Sequence, residues 1–222
     1  FYTLAGPEIS VATTKAYSTQ LMASYLLAVQ FAKVRETIST EKYEQLIQEL
    51  TAIPEKIAKI LEDDKERIQW FAAKQANVKD AFFIGRGIDY AVSLEGSLKM
   101  KEISYVHSEA YAAGELKHGT ISLIEDGTLV VALATQPALF EKTVSNIREV
   151  VARGASVVLV TTDDFTGDES VCQHIIRLPK CLYEFSASLS IIPMQLLAYY
   201  IAVERNCDVD KPRNLAKSVT VE

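Results

Sequence analysis

Short apolar runs separated by helix-forming stretches dominate the chain from about residue 79 onward. Residues 81–84, 129–133, 156–160 and 174–178 are rich in apolar side chains, which predicts strands buried on both faces. Strands of this kind that alternate with helices are typical of a parallel sheet. The pattern therefore predicts an α/β fold, a doubly wound sheet of mainly parallel strands covered by helices on both faces.

The first third of the chain is predicted to be mostly helical. Residues 1–5 are predicted to end a strand, and residues 9–33, rich in Ala, Leu and Gln, to form a long helix. Residues 37–78 are predicted to be a helical connector in which Ser39 marks a helix start and Pro54 a new start.

These elements divide the chain into four parts. Residues 1–36 have no sheet of their own and need neighbours to pack against, so we expect them to end a preceding unit. The sheet occupies residues 79–205, and residues 206–222 form an irregular tail. The last helix, residues 184–205, is apolar but interrupted by Ser, Pro and Gln, which predicts a buried core helix rather than a membrane span.

Composition narrows the class of protein. The formal net charge of −6 over 222 residues argues against nucleic-acid binding. The sequence has no run of basic residues that would indicate binding to a membrane surface. Three cysteines without C-x-x-C spacing predict reduced thiols in the cytoplasm, with no disulfide framework, no metal and no cofactor. The chain begins with Phe1, without Met or a basic leader, so we expect a fragment of a longer polypeptide.

One predicted helix carries three charges on a single face. Glu95, Lys99 and Glu102 are spaced i, i+4 and i+7, while Leu94 and Leu98 lie one turn apart and predict an apolar ridge to be buried. The charged face is either a solvated salt-bridge ladder or the wall of a cleft in which Lys99 keeps the Glu102 carboxylate ionised as a base. The spacing leaves both open.

Glycines punctuate the same region. Gly96, inside the helix, indicates close approach by another backbone or a ligand. Gly85 and Gly87 follow the first strand and give half of a phosphate-loop pattern, for which a tight strand-to-helix turn is the simpler interpretation. His118 lies between Gly114 and Gly119 and could be structural or reactive.

Three motifs resemble one family. The stretches AGPEISVATTKA (residues 5–16), residues 98–119 with KEIS and GELKHG, and DKPRNLAKSVTVE (residues 210–222) are similar to the isomerase region of the glutamine:fructose-6-phosphate amidotransferases. That region is a tandem of two sugar-isomerase (SIS) lobes. The resemblance implies that residues 1–36 end the first lobe, residues 79–205 are the second, and the fold is of the SIS type.

The resemblance also implies roles for individual residues. Glu102 is the base that shuttles a proton between C1 and C2 of fructose 6-phosphate, Lys217 forms an imine with the open-chain sugar, and His118 opens the ring from the neighbouring subunit of a homodimer. Lys99 orients or tunes the base, and Val11 and Thr13 contact the sugar.

Family members often carry Ser where Thr13 stands, and both residues offer a hydroxyl. Glu109 and Glu115 are rival carboxylates that the motif places second.

The family's full-length chain joins these lobes to a glutaminase domain that supplies ammonia. That domain uses an N-terminal Cys, so we expect this chain not to hydrolyse glutamine and, without the phosphate loop of the first lobe, to be weakly active or inactive alone. Pro212, Leu215, Val219 and Val221 are poor choices for a solvated terminus and predict a tail that folds over a site. Two alternatives remain: a fructosamine-6-phosphate deglycase, or a non-catalytic SIS module that senses a sugar phosphate.

Overall fold

Five parallel strands form the sheet in the computed structural model, which describes residues 2–217. The strands are β1 (Asp80–Gly85), β2 (His107–Ala112), β3 (Leu129–Ala134), β4 (Ser156–Thr162) and β5 (His174–Leu178), in the order β2-β1-β3-β4-β5. Every neighbouring pair is parallel. The predicted parallel α/β sheet is confirmed.

Strand β2 was not predicted. Its sequence, HSEAYA, contains no apolar run, because β2 lies at the edge of the sheet and most of its residues are only partly buried. In the register, His107 of β2 lies opposite Asp80 of β1. This pairing brings the end of the preceding helix to the amino-terminal edge of the sheet.

Six helices accompany the strands within the described residues. They are α1 (Lys15–Val34), α2 (Thr40–Asp63), α3 (Lys65–Lys74), α4 (Ile88–Ser104), α5 (Phe140–Val151) and α6 (Ser186–Glu204). The core has two parts, one joining the sheet to α2, α3, α4 and α6, and the other joining it to α5. Both faces of the sheet are therefore covered, as predicted.

The predicted strand at residues 1–5 is wrong for the part that is described. Tyr2 and Leu4 are 90% and 92% exposed, and no strand is present there. Helix α1 begins at Lys15 rather than at residue 9, because the preceding backbone pairs with the tail: the Val11 N–H donates to the Asp210 carbonyl at 2.9 Å.

Helix α2 runs through Pro54 without a break, so the predicted new start at that residue is wrong. A proline inside a helix costs about 3 kcal/mol in isolation. Here the helix is held on both sides of Pro54 by the burial of Leu50, Ile53 and Ile60. The predicted start is confirmed, since the Ser39 hydroxyl accepts a hydrogen bond from the Lys42 N–H at 3.2 Å.

Helix α6 is the central helix of the larger core. Residues 183–204 are long and apolar enough to cross a membrane by length and composition, but 72% of the apolar window is buried inside the fold. The predicted core helix is confirmed. Gly96 of α4 packs against it, and a Cβ at that position would lie 2.5 Å from Met194 Sδ. The close approach expected at Gly96 is thus made by a side chain of α6.

Candidate active site

The packing of α4 on α6 decides which face of α4 is buried. Leu94 and Leu98 are 48% and 41% exposed, so the apolar ridge predicted there is wrong. The buried face instead carries Gly96, Met100 and Ile103. Because α6 approaches closely at Gly96, α4 is rotated so that the charged face turns toward the protein rather than toward solvent.

Lys99 is consequently a buried cation, with only 3% of its surface exposed. Its Nζ lies 3.3 Å from Glu95 Oε1 and 2.5 Å from Glu102 Oε2. A solvated ladder would leave all three side chains in water, so that interpretation is excluded. A buried lysine flanked by carboxylates on both sides is the arrangement expected for the wall of a cleft.

The two carboxylates differ in their surroundings. Burial raises the pKa of Glu95, an effect that Lys99 opposes and the nearby Glu102 charge reinforces. Burial, followed by the Glu95 charge, raises the pKa of Tyr17 to about 12. Glu102 Oε2 is buried against Lys99, and the Glu102 side chain is 22% exposed compared with 16% for Glu95. Glu102 is therefore the more accessible of the two carboxylates.

Glu102 also faces open space. It lines a cleft of about 440 Å³ between the end of α4 and the tail. Tyr105 and His107 line the α4–β2 side of this cleft, and Arg213 and Leu215 line the tail side. Of the apolar tail residues on which the prediction of a folded tail rested, Pro212 is buried, and Leu215 lines the cleft but is 44% exposed. Val219 and Val221 lie outside the described residues.

Three of the predicted site residues meet at the end of this tail. Lys217 Nζ donates to the Val11 carbonyl at 3.0 Å and lies 3.3 Å from Thr13 Oγ1. The hydrogen bond between Val11 and Asp210 holds the two segments together. An amine, a hydroxyl and a backbone carbonyl are therefore collected at the end of the tail, two residues beyond Leu215, which lines the cleft of Glu102.

His118 lies elsewhere. It ends the short 3₁₀ turn Leu116–His118, its side chain is 60% exposed, and its Nδ1 lies 2.9 Å from Glu115 Oε2. It does not line the cleft of Glu102 in its own chain. The described structure thus groups Glu102 with Lys99, and Lys217 with Val11 and Thr13, and leaves His118 apart.

The imidazole that does line the cleft is His107, which sequence reasoning missed. Its Nδ1 lies 2.8 Å from Asp80 Oδ1, across the β1–β2 pair. The rival carboxylate Glu109 pairs with the Tyr111 hydroxyl and does not line the cleft. The sequence spacing does not predict the contacts of His107 and Glu109, because they depend on strand β2, which was not predicted.

The glycine turn after β1 is a packed structural corner. A Cβ at Gly85 would lie 2.5 Å from the Asp89 backbone. Asp89 is 2% exposed and accepts hydrogen bonds from the Thr135 N–H at 2.9 Å and the Thr135 hydroxyl at 2.5 Å. Burial raises the pKa of Asp89, while the bonds from Thr135 lower it. Gln136 Nε2 donates to the Arg86 carbonyl at 2.6 Å. The simpler interpretation, a tight strand-to-helix turn, describes these contacts.

Metal-binding geometry is absent from the described part of the chain. Among residues 2–217, no group of three or more His, Cys, Asp or Glu side chains is arranged to hold a metal ion. The residues described above supply a carboxylate, a buried ammonium ion and a lysine amine.

The five parallel strands covered by helices define an α/β protein with a charged site at the end of α4. Comparison with known families identifies this class of protein. A profile of the SIS domain matches residues 75–205, and the chain belongs to the SIS-domain family. More particularly, the chain is 59% identical over 221 residues to glutamine–fructose-6-phosphate aminotransferase (isomerizing) of Caldanaerobacter subterraneus and 57% identical to that of Clostridium tetani. The matches cover all of this chain and 36% of each relative.

A solved structure supports the same correspondence. The C-terminal domain of glucosamine-fructose-6-phosphate aminotransferase from Francisella tularensis superposes with a TM-score of 0.90 at 34% identity. The superposition covers 96% of this chain and 60% of that one. The resemblance on which the site residues were predicted is confirmed, and the chain corresponds to the isomerase region of these enzymes.

Proposed function

We propose that this chain carries out the sugar-isomerising step of a glutamine–fructose-6-phosphate aminotransferase. It would convert fructose 6-phosphate to glucosamine 6-phosphate for amino-sugar synthesis, using ammonia that a glutaminase domain of the full-length enzyme releases from glutamine. The observation that carries the proposal is the contact of Lys217 with Val11 and Thr13, two residues beyond Leu215, which lines the cleft of Glu102. The identity to two aminotransferases supports the choice of substrate.

The proposed chemistry begins at Lys217. Its uncharged amine attacks the C2 carbonyl of the open-chain ketose, forms a C=N bond and releases water. Ammonia then adds to this imine carbon and displaces the lysine, which leaves a C2 imine of the sugar. Val11 and Thr13, which contact the amine, would hold the sugar close to it.

Glu102 performs the isomerisation. Its carboxylate takes a proton from C1 and returns it to C2, while the imine nitrogen gains a proton and the O1 hydroxyl loses one, so that C1 becomes the aldehyde carbon and C2 carries the amino group. Lys99 Nζ, 2.5 Å from Glu102 Oε2, holds the carboxylate in place by an ion pair. The lysine is itself balanced by Glu95, so the buried group of three charges keeps one carboxylate in excess.

His118 would open the sugar ring from the neighbouring subunit of a homodimer. Its exposure and its place outside the cleft of its own chain support this arrangement. Mixing His118→Ala subunits with Glu102→Gln subunits should restore about one quarter of wild-type activity, because half of the dimers then hold one intact site. Activity that stays at the level of the two parent variants would contradict the shared site.

Two further features belong to this proposal. Residues 1–36 would pack against a preceding SIS lobe, which the exposed apolar side chains of α1, such as Phe31 at 61% and Val34 at 70%, support. The enzyme would be cytoplasmic, in keeping with three cysteines that form no disulfide bond.

Borohydride trapping tests the central step. A protein that carries this chain together with a preceding SIS lobe is treated with fructose 6-phosphate and borohydride, and the modified peptide is mapped. We expect the adduct on Lys217, its loss in Lys217→Arg, and its retention in Lys211→Arg, which alters an exposed lysine of the same tail. The chain on its own should show weak or no isomerase activity.

The opposite result is equally informative. Fructose 6-phosphate that binds without an adduct, and whose affinity is unchanged by Lys217→Arg and Glu102→Gln, would identify a sugar-phosphate sensing module instead of an enzyme.

A further inference from the structure

The tail reaches the site only because it is fastened to the body of the protein. At segment 10–13, the Ser10 hydroxyl donates to the Val209 carbonyl at 3.2 Å and the Val11 N–H donates to Asp210. A second attachment lies at Arg213, between these bonds and Lys217. It is made by one side chain, that of Tyr105.

Tyr105 holds both the backbone and the side chain of Arg213. The tyrosine hydroxyl accepts a hydrogen bond from the Arg213 N–H at 2.8 Å. The guanidinium group lies over the ring, 4.2 Å from its centroid, in cation–π geometry. The hydrogen bond fixes the position of the chain along the tail, and the stacking fixes the direction of the side chain.

The backbone of Tyr105 indicates that this placement is specific. Tyr105 ends helix α4 with φ 60°, in the left-handed region that Gly and Asn usually occupy at helix ends. A bulky residue there is strained by about 1 kcal/mol or more. With this backbone conformation, the Tyr105 ring contacts Arg213 of the tail. Tyr105 lies three residues after Glu102, at the end of α4.

Tyr105 and Arg213 together also separate two cavities. Both residues line the 440 Å³ cleft of Glu102 and a second cleft of about 450 Å³ that contains Arg205 and Cys207. If this pair opened, the two clefts would join and the tail would lose its support between Asp210 and Lys217.

We propose that Tyr105 is a positioning residue that sets the register of the tail against Glu102, so that Lys217 and the base act on the same sugar. This inference rests on the proposed function. Tyr105 itself need not touch the substrate, because it acts through Arg213 and the three residues between Arg213 and Lys217. A misplacement of a reacting group by about 1 Å costs on the order of 10²-fold in rate.

Conservative substitutions separate positioning from a general role in folding. Tyr105→Phe keeps the ring and removes only the acceptor for the Arg213 N–H, and Arg213→Lys keeps the N–H and removes the planar group over the ring. We expect Tyr105→Phe to lower kcat about tenfold with KM within about twofold, and Tyr105→Ala to lower kcat about 10²-fold. Tyr183→Phe is the matched control, since Tyr183 is 59% exposed and distant in sequence from the tail.

Two measurements are made on the protein that carries both lobes. The first is kcat and KM together with the rate of borohydride trapping at Lys217, which should fall in parallel with kcat. The second is amide hydrogen exchange over residues 211–217, which should accelerate in Tyr105→Phe and stay unchanged in Tyr183→Phe. The phenylalanine variant keeps the test valid if Tyr105→Ala fails to fold.

The two ways to fail are distinct. Unchanged exchange in the tail of Tyr105→Phe, or a kcat equal to wild type, would overturn the positioning role of Tyr105. A wild-type protein that traps no sugar would overturn the proposed function and with it the catalytic consequence, whereas the exchange experiment would still decide whether Tyr105 holds the tail.

Discussion

Both ends of helix α4 carry closely interacting polar groups, but the two sets of groups have different surroundings. Where α4 begins, at the carboxyl edge of the sheet, Asp89 is saturated by Thr135, and Gln136 bonds to the Arg86 carbonyl. Where α4 ends, Lys99 is buried between two carboxylates, and one of them, Glu102, lines a cleft.

This contrast reverses the usual expectation for such a sheet. Open parallel sheets bind ligands in the crevice at the carboxyl ends of their strands, where the strand order reverses. In this sheet the reversal lies between β1 and β3, beside Gly85 and Thr135. The polar groups there, those of Asp89, Thr135 and Gln136, bond to other groups of the same chain. The carboxylate that lines a cleft, Glu102, lies at the other end of α4.

The largest effect is expected from Glu102→Gln. An amide cannot accept the C1 proton, so isomerase activity of the protein with both lobes should fall about 10³-fold. Glu109→Gln is the matched control and should retain activity within about threefold, because Glu109 does not line the cleft. The measurement is a coupled assay of glucosamine 6-phosphate formation. A loss in Glu109→Gln with an active Glu102→Gln would move the base to the rival carboxylate.

A smaller effect is expected from Lys99→Met. Removing the cation leaves Glu95 and Glu102 facing each other with no positive charge between them, so the two like charges repel. Activity in the coupled assay at pH 7 should fall about 10-fold to 10²-fold. Lys142→Met, at an exposed position of α5, should leave the activity unchanged.

A double variant sharpens this prediction. Lys99→Met combined with Glu95→Gln removes one of the two facing carboxylates, so part of the lost activity should return. Wild-type activity in Lys99→Met would show that the lysine does not support the base.

The smallest effect on activity is expected at the other end of the helix, from Asp89→Asn. The variant places an amide against the Thr135 donors, which should lower the free energy of unfolding by about 1–3 kcal/mol. Activity per folded molecule should stay within about twofold of wild type. Denaturant unfolding and the coupled assay, made on the same samples, test both statements. A selective loss of activity would make the carboxyl edge part of the site.

The same residue gives a pH dependence with a definite sign. Burial raises the pKa of Asp89, so the folded state binds its proton more tightly than the unfolded state does. The stabilisation from Asp89 is therefore present at low pH and decreases as the pH rises from about 4 through the folded pKa. The difference in unfolding free energy between wild type and Asp89→Asn should become smaller over that range. A difference that grows with pH would contradict the assignment.

Much of the fold followed from the sequence because its signals are local. The apolar runs gave four of the five strands, and the serine before Thr40 gave the start of α2. Strand β2 was missed because an edge strand needs no apolar run. The helix start predicted at Pro54 is wrong because the burial of Leu50, Ile53 and Ile60 in α2 outweighs the local effect of the proline.

The site was less accessible to local reasoning. Spacing placed Glu95, Lys99 and Glu102 on one face of a helix, but it could not say where that face points. The direction depends on Gly96 meeting Met194, a contact between elements far apart in the chain. Tyr105 and Arg213 are separated by 108 positions, and no pattern in the letters connects them. The roles of Lys217 and His118 came from the family resemblance alone.

The bond between Ser10 and Val209 joins positions 199 residues apart, almost the full span of the molecule. Closing a loop of that size costs roughly 5 kcal/mol of chain entropy, which only an already formed core can offset. The segments that meet beside Glu102 should therefore join among the last steps of folding, after the strands have paired. A polypeptide clipped shortly after α6 would keep its secondary structure and its melting behaviour nearly intact while lacking the fastening that completes the catalytic centre. Such a polypeptide would look folded by circular dichroism and thermal unfolding and would still be inactive.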